Sequence, residues 1–179
     1  ISQNGFEAVV RNNLVGGFLV SKEVYNQSMA STGGAIVNIV ADMWGGMPGM
    51  GHSGAARAGM VNLTETCAVE WAHSGVRVNA VAPGTIISSG LDHYGDAFED
   101  MYPLLKKGVP QQRFGTEAEV SAAIVFLLSE ASAFITGSTL KADGGASLNT
   151  RIWPEMEVEN QQPYEGFHKA SRPHFFEKK

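Results

Sequence analysis

Two short apolar runs, AIVNIVA at 35–41 and VRVNAVAPG at 76–84, lie between stretches whose apolar residues recur with a helical period. This alternation constrains the fold more than any other feature of the chain. AIVNIVA shows no clean alternation of polar with apolar residues, as expected of a strand covered on both faces. Phe6, Val10, Leu14, Gly17, Phe18, Val24 and Tyr25 predict a helix over 5–30 with one wide buried face, and Asn13 falls on that face. Ala56, Met60, Leu63, Cys67 and Trp71 predict a second helix over 52–73. Thr116-x-x-Glu119 has the form of a capping box and opens the helical run EVSAAIVFLLSE. A last strand, STLKAD, ends at Asp143-Gly144-Gly145. Residues 89–115 hold scattered aromatics and two prolines without a sustained period, which predicts a long loop with short helical pieces. Helix, strand, helix, strand, loop, helix, strand is the order of an α/β protein whose parallel sheet is wound by right-handed crossovers.

Only three strands are legible, the first element is a helix and Ile1 is no initiator. The expectation is therefore a sheet whose N-terminal half lies upstream of this numbering. A sequence of 179 residues with 44% hydrophobic content suits one core. The net charge of -5 argues against a nucleic-acid partner, which calls for a basic patch. The single cysteine, Cys67, excludes an internal disulfide and a cysteine-clustered zinc site, and no metal site is expected. No apolar run reaches the roughly 20 residues of a membrane span, and no signal pattern opens the chain, so a cytoplasmic protein with no membrane partner is expected.

The segment GGMPGMG at 45–51 spells Gly-x-x-x-Gly-x-Gly between a strand and a helix, the spacing of a loop that cradles dinucleotide phosphates. Such a loop needs an acidic residue about 20 positions later, at the end of the next strand, to hold the ribose hydroxyls. Here the next strand ends in Ala82-Pro83-Gly84, with no carboxylate. A phosphate loop also opens its helix at the last glycine, whereas Gly51 is followed by His52-Ser53-Gly54. The reading is of a flexible look-alike that lines a substrate cleft, with Asp42, Met43 and Trp44 on the substrate side.

Asn13-Leu14-x-Gly16-x-Phe18, Ile36-Val37-Asn38-Ile39, Arg77-Val78-Asn79-x-Val81-x-Pro83-Gly84 and Ile135-Thr136-Gly137 to Asp143-Gly144-Gly145 occur in one order. Over residues 1–149 the chain resembles the C-terminal half of the short-chain dehydrogenase/reductase family. Within it, His52 to Gly59, Asn62-Leu63-Thr64 and Glu70-Trp71 look most like trans-2-enoyl-CoA reductases and 2,4-dienoyl-CoA reductases. The resemblance implies a Rossmann-type doubly wound parallel sheet, of which this chain carries the C-terminal half in residues 1–150, followed by an extension at 151–179. It implies NADP or NAD as cofactor and a homodimer or homotetramer. In that assembly the helices at 5–30 and 52–73 pair across subunits, helped by the small residues Gly17, Ala55, Ala56 and Gly59.

Most of the family activates a carbonyl with a Ser, a Tyr and a Lys, aided by a helix Asn. Here the Asn matches Asn13, while the Ser position falls at Val40 or Ala41, the Tyr position at Ser53 and the Lys position at Arg57. A serine hydroxyl cannot replace a phenol as a proton donor near neutral pH, and an arginine keeps its charge. Ordinary alcohol dehydrogenation is disfavoured. Reduction of an enoyl thioester asks only that charge on the thioester oxygen be stabilised. Arg57, with Ser53 or His52 donating a hydrogen bond, suits that task. Ser53 and His52 equally suit the capping of their helix. The resemblance places Asn38, Ile39, Arg57, Pro83, Gly84, Thr85, Ile86 and Ser88 at the cofactor, with Gly84 permitting close backbone approach. Two other readings stay open. One is a member of the family that has lost catalysis and serves as a cofactor-binding scaffold. The other is a carbonyl reductase using a different tyrosine, such as Tyr94. The extension holds three prolines and five aromatics, and is expected to lie over the chain's own substrate loop or a neighbouring subunit.

Overall fold

The structure, a computed structural model, describes residues 1–149, 158–164 and 166. It divides into two compact units, Ile1–Ala82 with Ile124–Leu140, and Pro83–Ala123 with the chain from Lys141 onward.

In the first unit, helical segments α1 (Gln3–Val10), α2 (Gly16–Val24) and α3 (Ala30–Thr32) are joined by π turns at Arg11–Val15 and Tyr25–Met29. The joints keep helical dihedrals, so the run is continuous until Gly33, whose φ of 69° stops it. Ser2 caps the start, its Oγ accepting from the Gly5 amide at 3.1 Å. Strand β1 (Gly34–Ile39) follows, then a glycine-rich loop, α4 (Gly51–Trp71) and β2 (Val76–Pro83). β1 and β2 pair in parallel from Gly34 opposite Val76 to Ile39 opposite Val81. β5 (Thr139–Ala142) lies on the other side of β2. This is the parallel α/β architecture that the alternation predicts.

The core gathers between the sheet and α4. Cys67, Ala68, Trp71, Val76 and Val78 form one cluster with Tyr25, Met29, Ile36 and Leu63 against it. Val40, Met60, Ala80 and Ala82 form another, against Leu14, Val61 and Leu63. Tyr25 stacks on Trp71 with ring centroids 4.3 Å apart, and its hydroxyl meets Ser74 Oγ at 2.9 Å. Of the small residues expected to serve contacts between subunits, Gly17, Ala56 and Gly59 pack within the protomer, while Ala55 is exposed. A Cβ at Gly17 would meet Met60 Cε at 3.0 Å, one at Gly59 would meet Leu14 Cδ2 at 2.9 Å, and Ala56 is fully buried. They admit side chains of the same protomer between the first helical run and α4.

The Arg77-Val78-Asn79 motif is a structural clamp. Arg77 Nη1 donates to Leu127 O and to Ser132 Oγ, both at 2.8 Å, and Nη2 donates to Ser129 O at 3.1 Å. Fully buried Asn79 donates from Nδ2 to Ile135 O at 2.9 Å and accepts from the Ser138 amide at 3.0 Å. Thr136 Oγ1 accepts from the Val78 amide, and the Gly137 amide reaches Val78 O at 2.7 Å. Polar groups buried beside the sheet are thus satisfied in pairs.

In the second unit, β3 (Ile86–Ile87) pairs in parallel with β4 (Gly115–Thr116), a ribbon too short to leave a pattern in the sequence. Between them runs α5 (Asp96–Lys107), where the sequence suggested a long loop. Pro103 sits inside this helix and removes one of its donors, which hid the period. α6 (Glu117–Leu128) starts from the capping box as expected: the Glu119 amide bonds Thr116 Oγ1 at 3.3 Å and the Thr116 amide bonds Glu119 Oε2 at 2.9 Å. Asp143 closes the turn after β5 by accepting from the Gly145 and Ser147 amides.

Candidate functional site

At the end of β1 in the first unit, two side chains from the sequence reading, Arg57 and Asn38, join β1 to α4. Arg57 Nη1 donates to the carbonyl of Ile39 at 2.6 Å. Its Nε is buried and has no hydrogen-bond partner among the described residues. Burial lowers the Arg57 pKa from its ordinary value, yet a guanidinium starts high enough to remain a cation near neutrality. Asn38 Nδ2 donates to Thr64 Oγ1 at 2.9 Å, and that hydroxyl donates to Met60 O at 2.7 Å. Part of Asn38 is therefore committed to joining β1 to α4, and its carbonyl oxygen has no hydrogen bond among the described residues. Val40, where the family resemblance expects a serine, is buried in the core.

α4 begins at Gly51, one residue before the sequence reading and at the last glycine of GGMPGMG. That removes one of the two arguments against a phosphate loop; the missing carboxylate after the next strand still stands. No side chain caps from Met50. Instead His52 Nδ1 accepts from the Ser53 amide at 2.8 Å and satisfies one of the bare donors of the first turn. A neutral His52 ring in this bond carries its hydrogen on Nε2. Capping and donating are then divided between the two ring nitrogens.

Asn13 lies inside the π turn Arg11–Val15 and is half-buried. Such widened turns are frequent at functional positions, because they expose backbone groups that an α-helix would close. The loop between β1 and α4 is open: Gly46 and Gly49 have φ of 79° and 80°, and a Cβ at either would meet nothing within 4 Å. Trp44 is 42% exposed, Asp42 and Met43 are half-buried, and Met47 rests against Gly54.

The second unit holds the loop after β2. Gly84 donates its amide to Ala142 O at 3.0 Å, and a Cβ there would sit 2.8 Å from Asp143 Cα. Glycine is required by the protein's own backbone at this point. Pro83, Ile86 and Ser88 line a cleft of about 450 Å³ together with Glu117, Val120 and Ser121 at the start of α6. A second cavity of about 330 Å³ is lined by Thr85 and Ile86 with Arg113, Glu119, Lys141 and Asp143. The sequence reading named Asp143-Gly144-Gly145 as a strand end and family motif and Glu119 as a cap, but placed neither at a site. Among the described residues no group of His, Cys, Asp and Glu is placed to hold a metal ion. No helix among them is long and apolar enough to cross a membrane.

A family model described as Enoyl-(Acyl carrier protein) reductase matches residues 1–147. The chain belongs to the short-chain dehydrogenase/reductase family. Family members similar to it include the peroxisomal 2,4-dienoyl-CoA reductase of Danio rerio, 40% identical over 84% of this chain and 50% of that protein. The structure resembles the citronellol catabolism dehydrogenase AtuB of Pseudomonas aeruginosa PAO1, with 62% identity and a TM-score of 0.70 over 82% of this chain and 56% of the other. It also resembles a gluconate 5-dehydrogenase from Burkholderia cenocepacia J2315 in complex with NADP and tartrate, with 30% identity and a TM-score of 0.75 over 84% and 59% of the two chains. The chain thus spans between half and three fifths of the length of these family members. The doubly wound sheet expected from the resemblance is that of the family.

Proposed function

We propose that the chain belongs to an NAD(P)H-dependent reductase that saturates the carbon–carbon double bond of an enoyl thioester. The observation that carries this reading is Arg57. It occupies the position that the family resemblance assigns to a lysine, is anchored to Ile39 O, and turns a buried Nε toward no described protein group. A donor left bare in this way costs on the order of 1–3 kcal/mol unless a ligand oxygen completes it. The position therefore fits a cofactor hydroxyl or a substrate oxygen.

When bound, the reduced nicotinamide supplies a hydride to the β-carbon of the substrate. The residues of this chain handle the charge that follows. Arg57 stabilises the thioester oxygen with a charge that no accessible pH removes. Ser53 Oγ and His52 Nε2 offer hydrogen bonds to the same oxygen, and a proton from solvent completes the α-carbon. Pro83, Gly84, Thr85, Ile86 and Ser88 form the nicotinamide-side loop, with Asn38, Ile39 and Asn13 supporting the catalytic end. Asp42, Met43 and Trp44 line the acyl side, where thioethers and an open glycine loop adapt to varied chains. Residues 1–150 are read as the C-terminal half of the family domain and 151–179 as an extension, in a cytoplasmic homodimer or homotetramer. Apolar residues exposed along the first helical run, with Leu19 at 48% and Val20 at 65%, support a second copy.

The 62% identity to the citronellol catabolism dehydrogenase favours a second reading, oxidation of an alcohol on a branched hydrocarbon chain. A serine at position 53 instead of a phenol weighs against it. The two separate in one assay of the intact protein. NADPH or NADH oxidation with a trans-2-enoyl-CoA, without NADP⁺ reduction by citronellol, is the expected result. The opposite pattern overturns the reading. Cofactor binding with turnover of neither substrate assigns the chain to the scaffold class.

A further inference from the structure

The C-terminal extension lies outside the 1–147 stretch that the family model matches, yet the described part of it is bonded into the second unit. Tyr164 is held by its main chain on both sides. Its amide donates to Glu119 Oε1 at 3.3 Å, and its carbonyl accepts from Thr116 Oγ1 at 2.9 Å. Both partners belong to the capping box at the start of α6. Thr116 is also the second residue of β4, which pairs with β3, placing Ile86 opposite Gly115 and Ile87 opposite Thr116. The Gly115 amide donates to Thr85 O at 3.0 Å, and Gly115 packs so closely on Ile86 that a Cβ there would lie 2.7 Å from Ile86 Cδ1. A contiguous set of bonds thus runs from Tyr164 through Thr116 and Gly115 to Thr85 and Ile86.

We infer that the segment around Tyr164 is a latch that holds β4, and through it the Thr85–Ile87 loop, in a single conformation. The functional half of this inference, that the latched loop presents the nicotinamide end of the cofactor, rests on the reading above. The structural half does not. A ribbon of two residues on each strand is far too short to be stable unaided, since even an isolated two-stranded hairpin is marginal in water. Something must hold it. Glu119 does so from one side, accepting from Arg113 Nη1 at 2.9 Å and Nη2 at 2.7 Å while it also bonds the Thr116 amide. Tyr164 completes the arrangement by bonding both capping-box side chains. Because the contacts are made by backbone atoms, the latch reads the path of the segment rather than its side chain at 164.

The test is Tyr164→Pro in the intact protein, which removes the amide that meets Glu119 while leaving every residue of the ribbon in place. Hydrogen exchange at the amides of Gly115, Ile86 and Ile87 is measured together with NADPH affinity. A chain ended at residue 157 serves as a second variant that removes the whole contact. Roughly fivefold or greater acceleration of exchange at those amides, in both variants and with the β1–β2 amides unchanged, is expected from the loss of one or two hydrogen bonds. NADPH binding weaker by a similar factor would support the functional half. Accelerated exchange with unaltered NADPH affinity supports the latch and overturns the nicotinamide reading of the loop. Unaltered exchange in both variants overturns the latch, whatever happens to the cofactor.

Discussion

Two arginines of the first unit face opposite fates. Arg77 spends its guanidinium on Leu127 O, Ser132 Oγ and Ser129 O, fixing the end of α6 and the turn after it onto β2. Arg57 makes one bond, to Ile39 O, and buries an Nε with nothing described to receive it. A cation bonded to three groups of its own protein is part of the scaffold. A half-satisfied one carries a standing cost that binding can remove. The same contrast separates Asn79, whose amide is used at both ends, from Asn38, whose Nδ2 is used and whose oxygen has no partner among the described residues.

The largest effect is expected where the scaffold side is broken. Asn79→Ala strands the Ile135 carbonyl and the Ser138 amide beside the sheet, and should cost about 3 kcal/mol in urea unfolding. Arg57→Ala should leave unfolding within about 0.5 kcal/mol of the parent. Turnover of the enoyl thioester should fall by about 10²-fold, the usual loss for one donor to a developing oxyanion. If Arg57→Ala proves as destabilising as Asn79→Ala while turnover survives, Arg57 belongs to the scaffold.

Much of the fold could be read before any coordinates. The runs at 35–41 and 76–84, mostly apolar and short, were legible as strands, and the capping box at Thr116 announced α6. α5 escaped notice because Pro103 lies within it. The β3–β4 ribbon escaped because two residues per strand leave no period. The family and its sheet were legible from motif order. What each motif residue does was not: Arg77 and Asn79 turn out to be clamps, and Gly17 and Gly59 receive side chains of their own protomer. Sequence pattern records that a position is constrained, while bonding alone says by what. The half-used hydrogen-bonding capacity at Arg57 and the tautomer set at His52 depend on which atoms meet, and no spacing encodes that.

Gly84 sharpens the contrast at a smaller scale. It reads as a site for close cofactor approach, yet its missing side chain makes room for Asp143. Gly84→Ala should therefore destabilise the protein by about 1–3 kcal/mol even without cofactor, measured by thermal unfolding of the apoprotein. A variant as stable as the parent but weak in NADPH binding would return the glycine to the cofactor.

The smallest effect concerns Glu119. Burial alone raises its pKa, but bonds from Arg113 and from the amides of Thr116 and Tyr164 outweigh burial and hold it below the ordinary value. A carboxyl lowered on folding stabilises the protein at pH values above its unfolded pKa, and that contribution disappears as pH falls through the lowered value. The difference in unfolding free energy between the parent and Glu119→Gln should therefore be largest near neutrality and shrink on acidification. A difference independent of pH would place the role of Glu119 in its shape and not in its charge.

The π turn that holds Asn13 also changes the gearing of the helix that carries it. An i→i+5 turn takes in one residue more than an α turn, so everything after it is rotated by about 100° from where an uninterrupted helix would place it. Gly17 meets Met60 in this shifted phase. Deleting a single residue between Arg11 and Val15 would let the helix close into a regular α turn with little change in length, and the residues beyond it would remain in phase with α4. The turn therefore holds one residue more than a regular α turn needs, at the position that the family resemblance assigns to its helix asparagine.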